Sequence, residues 1–212
     1  TLYSWIGFFI PAFYGMLDEL SLILSVSKSD LLDEYQHVHQ EKGSVEYPFA
    51  TLYLPSVKAA YPGKTKEELL NILNPVFHKF NSIRKKKLEL YPGVKETLEK
   101  IAGMGIKVVG YTDSAEENGF YRLKRLGIDD YFQSVYVSDS QFELPDYLPA
   151  SEKTQIVHGK KPNPAVIHKI CQQESVAIGE IVYLGDSLTK DVYMARRAGA
   201  LSVLCKYSYN AK

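Results

Sequence analysis

The feature that most constrains this chain is a change of rhythm near Leu88. After Tyr91, Pro92 and Gly93 the sequence alternates amphipathic helical stretches with short, β-branched apolar runs. Residues 94–102 read as a helix with Val94, Leu98 and Ile101 inward, stopped by Gly103 and Gly105. Residues 106–111 read as a strand, 115–126 as a helix closed by Gly127, and 131–137 as a second strand. A helix at 163–173, a strand at 181–184, a helix at 189–198 ending at Gly199 and a strand at 201–205 complete the series. Strands separated by helices in this way need crossover connections, which build a parallel sheet covered on both faces. The expected class is α/β, with a Rossmann-like parallel-sheet core.

The first part of the chain has another character. Met16, Leu17, Leu20, Ile23 and Leu24 recur at helical spacing, as do Leu69, Leu70, Ile72, Leu73, Val76, Phe77 and Phe80. Thr65 after the Tyr61-Pro62-Gly63 turn reads as an N-cap, with Glu68 completing a capping box. The spacing therefore predicts a helical region from about Ala12 to Lys87, ahead of the alternating part. Residues 138–160 are long for a connection and contain Pro145 and Pro149, the mark of a functional or mobile loop.

Composition narrows the function classes. Lys+Arg and Asp+Glu both number 25, so no overall charge draws the chain to nucleic acid or anionic lipid, and neither is expected as a partner. The uncharged run 2–17 is shorter than the ~20 residues of a spanning helix and contains Pro11, so an aromatic-rich entry into the helical part is expected, not a membrane span. Cys171 and Cys205 lack metal-ligand spacing and read as buried thiols of a reducing compartment, the cytoplasm. His37, His39, His78, His158 and His168 form no metal pattern. Oligomeric state is not readable from the sequence.

In parallel α/β sheets ligands collect beyond the carboxyl ends of the strands. There this chain places Thr112, Asp113 and Ser114, then a helix start, which is a seat for phosphate or merely a helix cap. After the strand at 181–184 come Gly185, Asp186 and, in the next helix, Asp191. Two such carboxylates converge on a hard cation such as Mg²⁺, or else serve as a turn residue and a helix-dipole partner. Lys161 precedes another helix and either neutralises an anion at this rim or is simply solvated. The run Arg84-Lys85-Lys86-Lys87 meets an anionic substrate or forms a solvated helix face.

Taken in order, Tyr91-Pro92-Gly93, Thr112, Lys161-Pro162, Gly185-Asp186 with Asp191, and Ala198-Gly199 resemble the haloacid dehalogenase superfamily through three of its four signature motifs. The resemblance covers residues 89–212, and the helical part is similar in size and position to the family's C1-type cap, which implies an inserted all-helical cap over residues 13–88 and an α/β core made of residues 1–12 and 89–212. It implies a phosphatase, in which Thr112 would hydrogen-bond the phosphoryl group and Lys161 would stabilise its charge. Asp186 would bind Mg²⁺, and Asp191 would help directly or through water. The family often has Asn where Asp113 stands. Its first motif, D-x-D-x-T, supplies a nucleophilic and an acid/base aspartate. Thr1-Leu2-Tyr3-Ser4 is similar to the end of that motif, so both aspartates would lie upstream of Thr1.

The resemblance thus implies Mg-dependent hydrolysis of a small phosphorylated metabolite through an aspartyl-phosphate, with this chain inactive by itself. It also implies a central strand between those leading to Thr112 and Asp186, a place that residues 5–10 are a second candidate to fill. A phosphomutase and a catalytically inactive binding or scaffold protein are the alternatives. Dehalogenases of the superfamily need no metal and lack the paired acids.

Overall fold

A computed structural model describes residues 1–138 and 151–207, apart from the side chains of Pro48 and Glu117. The chain divides into two compact units, residues 5–88 and residues 1–4 with 89–212. The helical unit begins at Trp5 rather than at residue 13. Its first helix, α1 (Trp5–Leu24), runs through Pro11. A proline costs an interior helix about 3 kcal/mol, but α1 buries Phe8, Phe9, Ala12, Met16, Leu17 and Leu20, an apolar area large enough to offset that loss. Residues 5–10 are thus helical and fill no strand position.

Four further α-helices, α2 (Lys28–Lys42), α3 (Pro55–Ala60), α4 (Lys66–Ile72) and α5 (Asn74–Lys87), and a 3-10 helix at Pro48–Tyr53 complete this unit. The Thr65–Glu68 capping box forms as its spacing predicts, with Glu68 N–H on Thr65 Oγ1 at 3.2 Å and Thr65 N–H on Glu68 Oε2 at 2.8 Å. α1 packs along α5, where a Cβ on Gly15 would sit 2.2 Å from Ile83 Cδ1. Stacked rings of Trp5, Phe9 and Phe13 run along α1, and Phe80 of α5 meets Phe9 edge-on. By length and composition α1 is apolar enough to cross a membrane. Within this unit its buried residues face α5 and α2.

The α/β unit contains α6 (Val94–Gly103), β1 (Val109–Ala115), α7 (Glu116–Arg125), β2 (Ser134–Ser138), β3 (Thr154–Val157), α8 (Pro164–Glu174), β4 (Val182–Gly185), α9 (Tyr193–Ala198) and β5 (Leu201–Leu204). These strands pair in parallel, in the orders β1-β2-β3 and β4-β5, and an isolated antiparallel bridge joins Tyr3 to Leu90. Alternation along β2 sends Val135 and Val137 to one face, with Val94, Leu98, Leu123, Ile128 and Phe132, and sends Tyr136 to the other, with Val157 and Val166. Helices therefore cover both faces of this sheet, as a Rossmann-like core requires.

Three details differ from the sequence expectation. β1 is shifted from 106–111 to Val109–Ala115, because its ladder follows β2 from Val109↔Ser134 and resumes, after an irregularity, at Ala115↔Ser138. β3 lies inside the stretch read as a loop, of which residues 139–150 fall outside the described residues. The helix expected at 189–198 opens with a π-type turn, Leu188–Val192, before α9.

Among the described residues no ladder joins β1 to β4. The two sheets nevertheless share a helical layer. Tyr111 of β1 and Tyr183 of β4 both pack against the cluster of Ile167, Cys171, Met194, Ala195 and Ala198 from α8 and α9.

Candidate functional site

β1 does not stop at Tyr111 but carries Thr112, Asp113 and Ser114 through its irregular segment into the start of α7. Thr112 Oγ1 accepts the Ser114 N–H at 3.1 Å, which folds the loop back on itself. Ser114 Oγ accepts from the buried guanidinium of Arg122 at 3.2 Å. The N-cap of α7 is Ala115, and no side chain caps the helix. Asp113 and Ser114 are therefore not its caps. No side chain caps the start of α7, which follows directly on this loop, and amides at a helix N-terminus suit an anion.

Asp113 reaches across to the next loop, its Oδ1 accepting the Lys161 backbone N–H at 3.1 Å and the Tyr111 hydroxyl at 3.3 Å. Asn163 caps α8 by accepting from Ala165 N–H at 3.0 Å, which fixes the loop that presents Lys161. The lysine ammonium lies 2.8 Å from Asp191 Oδ1, with only 16% of the lysine side chain and 5% of the aspartate's exposed.

Asp191 is occupied on both oxygens. Oδ1 also accepts the Tyr183 hydroxyl at 3.3 Å, and Oδ2 accepts the N–H groups of Asp186 at 3.2 Å and Ser187 at 3.0 Å. Burial pushes its carboxyl pKa up, but the Lys161 ammonium and the two amides outweigh that and hold it below the usual aspartate value. The close pass over the end of β4 depends on Gly185, where a Cβ would lie 2.2 Å from Asp191 Cβ. Asp186 is more open, and its Oδ2 accepts from the Thr1 ammonium at 3.0 Å.

The predicted residues thus form one connected set: Asp113 beside Thr112 holds Lys161, Lys161 holds Asp191, and Asp191 holds the loop carrying Asp186. Mg²⁺ takes one or two carboxylates together with waters and a substrate phosphate. Asp186 fits one such position. Asp191 does not, because four donors saturate its two oxygens. Among the described residues no group of three His, Cys, Asp or Glu side chains is placed to hold a metal. Asp186 is therefore the carboxylate of this set that suits such an ion, while Asp191 anchors its loop.

Two tyrosines join the set without having been singled out in the sequence. Lys161 Nζ sits 5.0 Å from the Tyr111 ring centroid and 5.8 Å from that of Tyr183. Burial, with Asp113 beside Tyr111 and Asp191 beside Tyr183, pushes both phenol pKa values up, so both remain neutral donors. The only sequence sign was an aromatic residue near the end of two strands, which core tyrosines share.

Comparison with known proteins identifies the family. The model of the haloacid dehalogenase-like hydrolases matches residues 23–199. The glyceraldehyde 3-phosphate phosphatase of Methanopyrus kandleri is 28% identical over 185 residues, covering 87% of this chain and 70% of that protein. The phosphoglycolate phosphatase of Nitrosococcus oceani is 33% identical over 125 residues, 59% of this chain and 48% of that protein. Against phosphoglycolate phosphatases such as this one, the chain spans about half the relative's length. Among solved structures, a 2-haloacid dehalogenase from Pseudomonas syringae superposes with a TM-score of 0.61 at 19% identity, covering 97% of this chain and 82% of that one. A HAD phosphatase from Thermococcus onnurineus gives 0.59 at 24%, covering 96% and 81%. At these identities the superpositions establish the fold alone, whereas the family match spans most of the sequence: the chain belongs to the haloacid dehalogenase-like hydrolases.

Proposed function

We propose that this chain is the phosphate-handling part of a cytoplasmic phosphohydrolase acting on a small phosphorylated metabolite. The observation that carries the reading is Lys161, tied through Asp113 to the loop of Thr112 and Ser114, beside an α7 N-terminus that no side chain caps. A phosphate dianion brought here meets Asp113, Asp186 and Asp191. At an effective dielectric of ~20 each unit pair at 4 Å costs about 4 kcal/mol. The ammonium of Lys161 and the α7 amides offset that repulsion, and the Thr112 hydroxyl donates to a phosphoryl oxygen. If magnesium takes part, Asp186 supplies the one carboxylate these residues offer it.

The aspartyl-phosphate route of the family needs a carboxylate free to attack phosphorus. Asp113 and Asp191 are held by protein donors, and Asp186 is the carboxylate left for a cation. We therefore expect the 212-residue chain to bind phosphate without turnover, and the same engaged carboxylates favour a binding protein as the second reading. Inorganic phosphate titrated into the chain and followed calorimetrically is expected to bind, with affinity falling about tenfold or more in Lys161→Met, the loss of a charged hydrogen bond. Affinity indifferent to Lys161→Met would overturn the seat. Hydrolysis of p-nitrophenyl phosphate, with and without Mg²⁺, is expected to stay at background. Turnover abolished by Asp186→Ala would instead make the chain a complete phosphatase.

A further inference from the structure

Lys161 is held more elaborately than charge neutralisation requires. Its backbone N–H is bound by Asp113 and its ammonium by Asp191, and each of these carboxylates also accepts a tyrosine hydroxyl. The same two tyrosines bring their rings to 5.0 and 5.8 Å from the ammonium. Tyr111 comes from β1 and Tyr183 from β4, the strands at the facing edges of two sheets that share no ladder. One lysine is thereby gripped from both sheets.

We propose that Tyr111 and Tyr183 are positioning residues that act through Lys161, clamping its ammonium onto Asp191 between β1 and β4. A lysine ammonium on a four-carbon stem is otherwise a mobile, strongly hydrated charge. Ring faces attract the cation, and the phenols fix the carboxylates that receive it. Neither ring nor neutral phenol adds charge to a rim already carrying three aspartates, so the ammonium is placed without further repulsion of an incoming anion. The bland alternative is that both tyrosines only fill space beneath α8 and α9, where they pack on Met194 and Ala195. The clamp gives the proposed phosphate seat a fixed cation, and rests on that reading for its purpose though not for its geometry.

The two possibilities separate in the chemical reactivity of Lys161 relative to its exposed neighbour Lys160. Trace acetylation of the intact chain with acetic anhydride at one pH, read by peptide mass spectrometry, gives the ratio directly. Wild-type Lys161 is expected to react about tenfold more slowly than Lys160, as a cation held by two rings and a carboxylate should. Tyr111→Phe/Tyr183→Phe keeps the rings and loses the hydroxyls, and should raise the ratio about threefold. Tyr111→Leu and Tyr183→Leu, which lose both, should each raise it further. A purely structural role lowers the melting temperature and leaves the ratio where it was.

The double phenylalanine variant preserves the packing volume and decides the matter even where a leucine variant fails to fold. An unchanged ratio in it overturns the clamp. Saturating inorganic phosphate provides an independent arm, since it should slow Lys161 acetylation in the wild type. If phosphate has no effect while the variants raise the ratio, the phosphate reading fails and the clamp stands. If phosphate protects while the variants leave the ratio unchanged, the seat stands and the clamp fails.

Discussion

The two sheets of the α/β unit are built from the same kinds of residue and end in different environments. In β1-β2-β3 the central strand is buried on both faces, by α6 and α7 on one side and by Val157 and Val166 on the other. In β4-β5 one face, through Tyr183, packs on α8 and α9, while the other leaves Val182 51% and Leu184 54% exposed. Leu201 and Val203 of β5 continue that exposed face. β-branched and aliphatic runs alone do not decide burial; the elements that arrive to cover them do. The candidate site lies where the well-covered and half-covered sheets meet, and its hydrogen bonds and Lys161–Asp191 ion pair link the two across an edge that carries no backbone ladder.

Truncating the core of the first sheet should cost most. Tyr136 is almost fully buried in β2, packs on Val157 and Val166, and donates its hydroxyl to Glu174 Oε1 at 2.8 Å. Glu174 in turn pairs with Lys107. Tyr136→Ala removes a buried ring and leaves Glu174 short of one donor, so a loss of about 3–5 kcal/mol is expected in urea unfolding. A loss under about 1 kcal/mol would mean that the first sheet is as loosely covered as the second.

Asp191 tests the link between the sheets. Asn in its place offers one oxygen where two are used, and its amide must face either the Lys161 ammonium or the N–H groups of Asp186 and Ser187. Asp191→Asn should therefore cost about 1–3 kcal/mol near neutral pH. Its carboxyl pKa is lowered in the folded protein from 3.8. The stabilisation it brings is thus complete above that unfolded value and fades as pH falls through the lower folded one. Wild type and Asp191→Asn, compared by urea midpoints down the acid limb, should converge once pH has passed below the folded pKa. A difference that stayed constant with pH would show that the aspartate acts by shape and not by charge.

How far the sequence foretold this depends on what each residue had to meet. α6, α7 and α8 were legible because one apolar stripe on each helix is enough to mark it, and the Thr65–Glu68 capping box is a purely local device. β3 was not legible: four residues beyond two prolines have no pattern of their own, and only the edge of β2 makes them a strand. The position of β1 was set by its register on β2, which draws polar Thr112, Asp113 and Ser114 into the strand although the apolar run begins earlier. α1 took up residues 5–12, against the signal of Pro11, because burial on α5 outweighed one lost hydrogen bond. At the site, spacing placed Asp186 and Asp191 together. It had no means of distinguishing a metal ligand from an anchor, since that depends on amides and a lysine supplied by other loops. Tyr111 and Tyr183 were invisible as partners of Lys161 for the same reason.

The smallest effect should come from the exposed face of the second sheet. Leu184 sits in β4 directly beside Val203 of β5, both on the side that the described helices do not cover. Replacing Leu184 with Thr keeps strand-compatible chemistry and removes apolar area that water already reaches, so the stability change should remain within about 0.5 kcal/mol. The backbone ladder from Leu184 to Val203 is untouched by the change, and the Tyr183 contacts on the opposite face should persist. Urea midpoints of Leu184→Thr and wild type should then nearly coincide. A loss above about 1.5 kcal/mol would mean that this face is covered in solution, and the contrast between the two sheets would be one of missing contacts rather than of build.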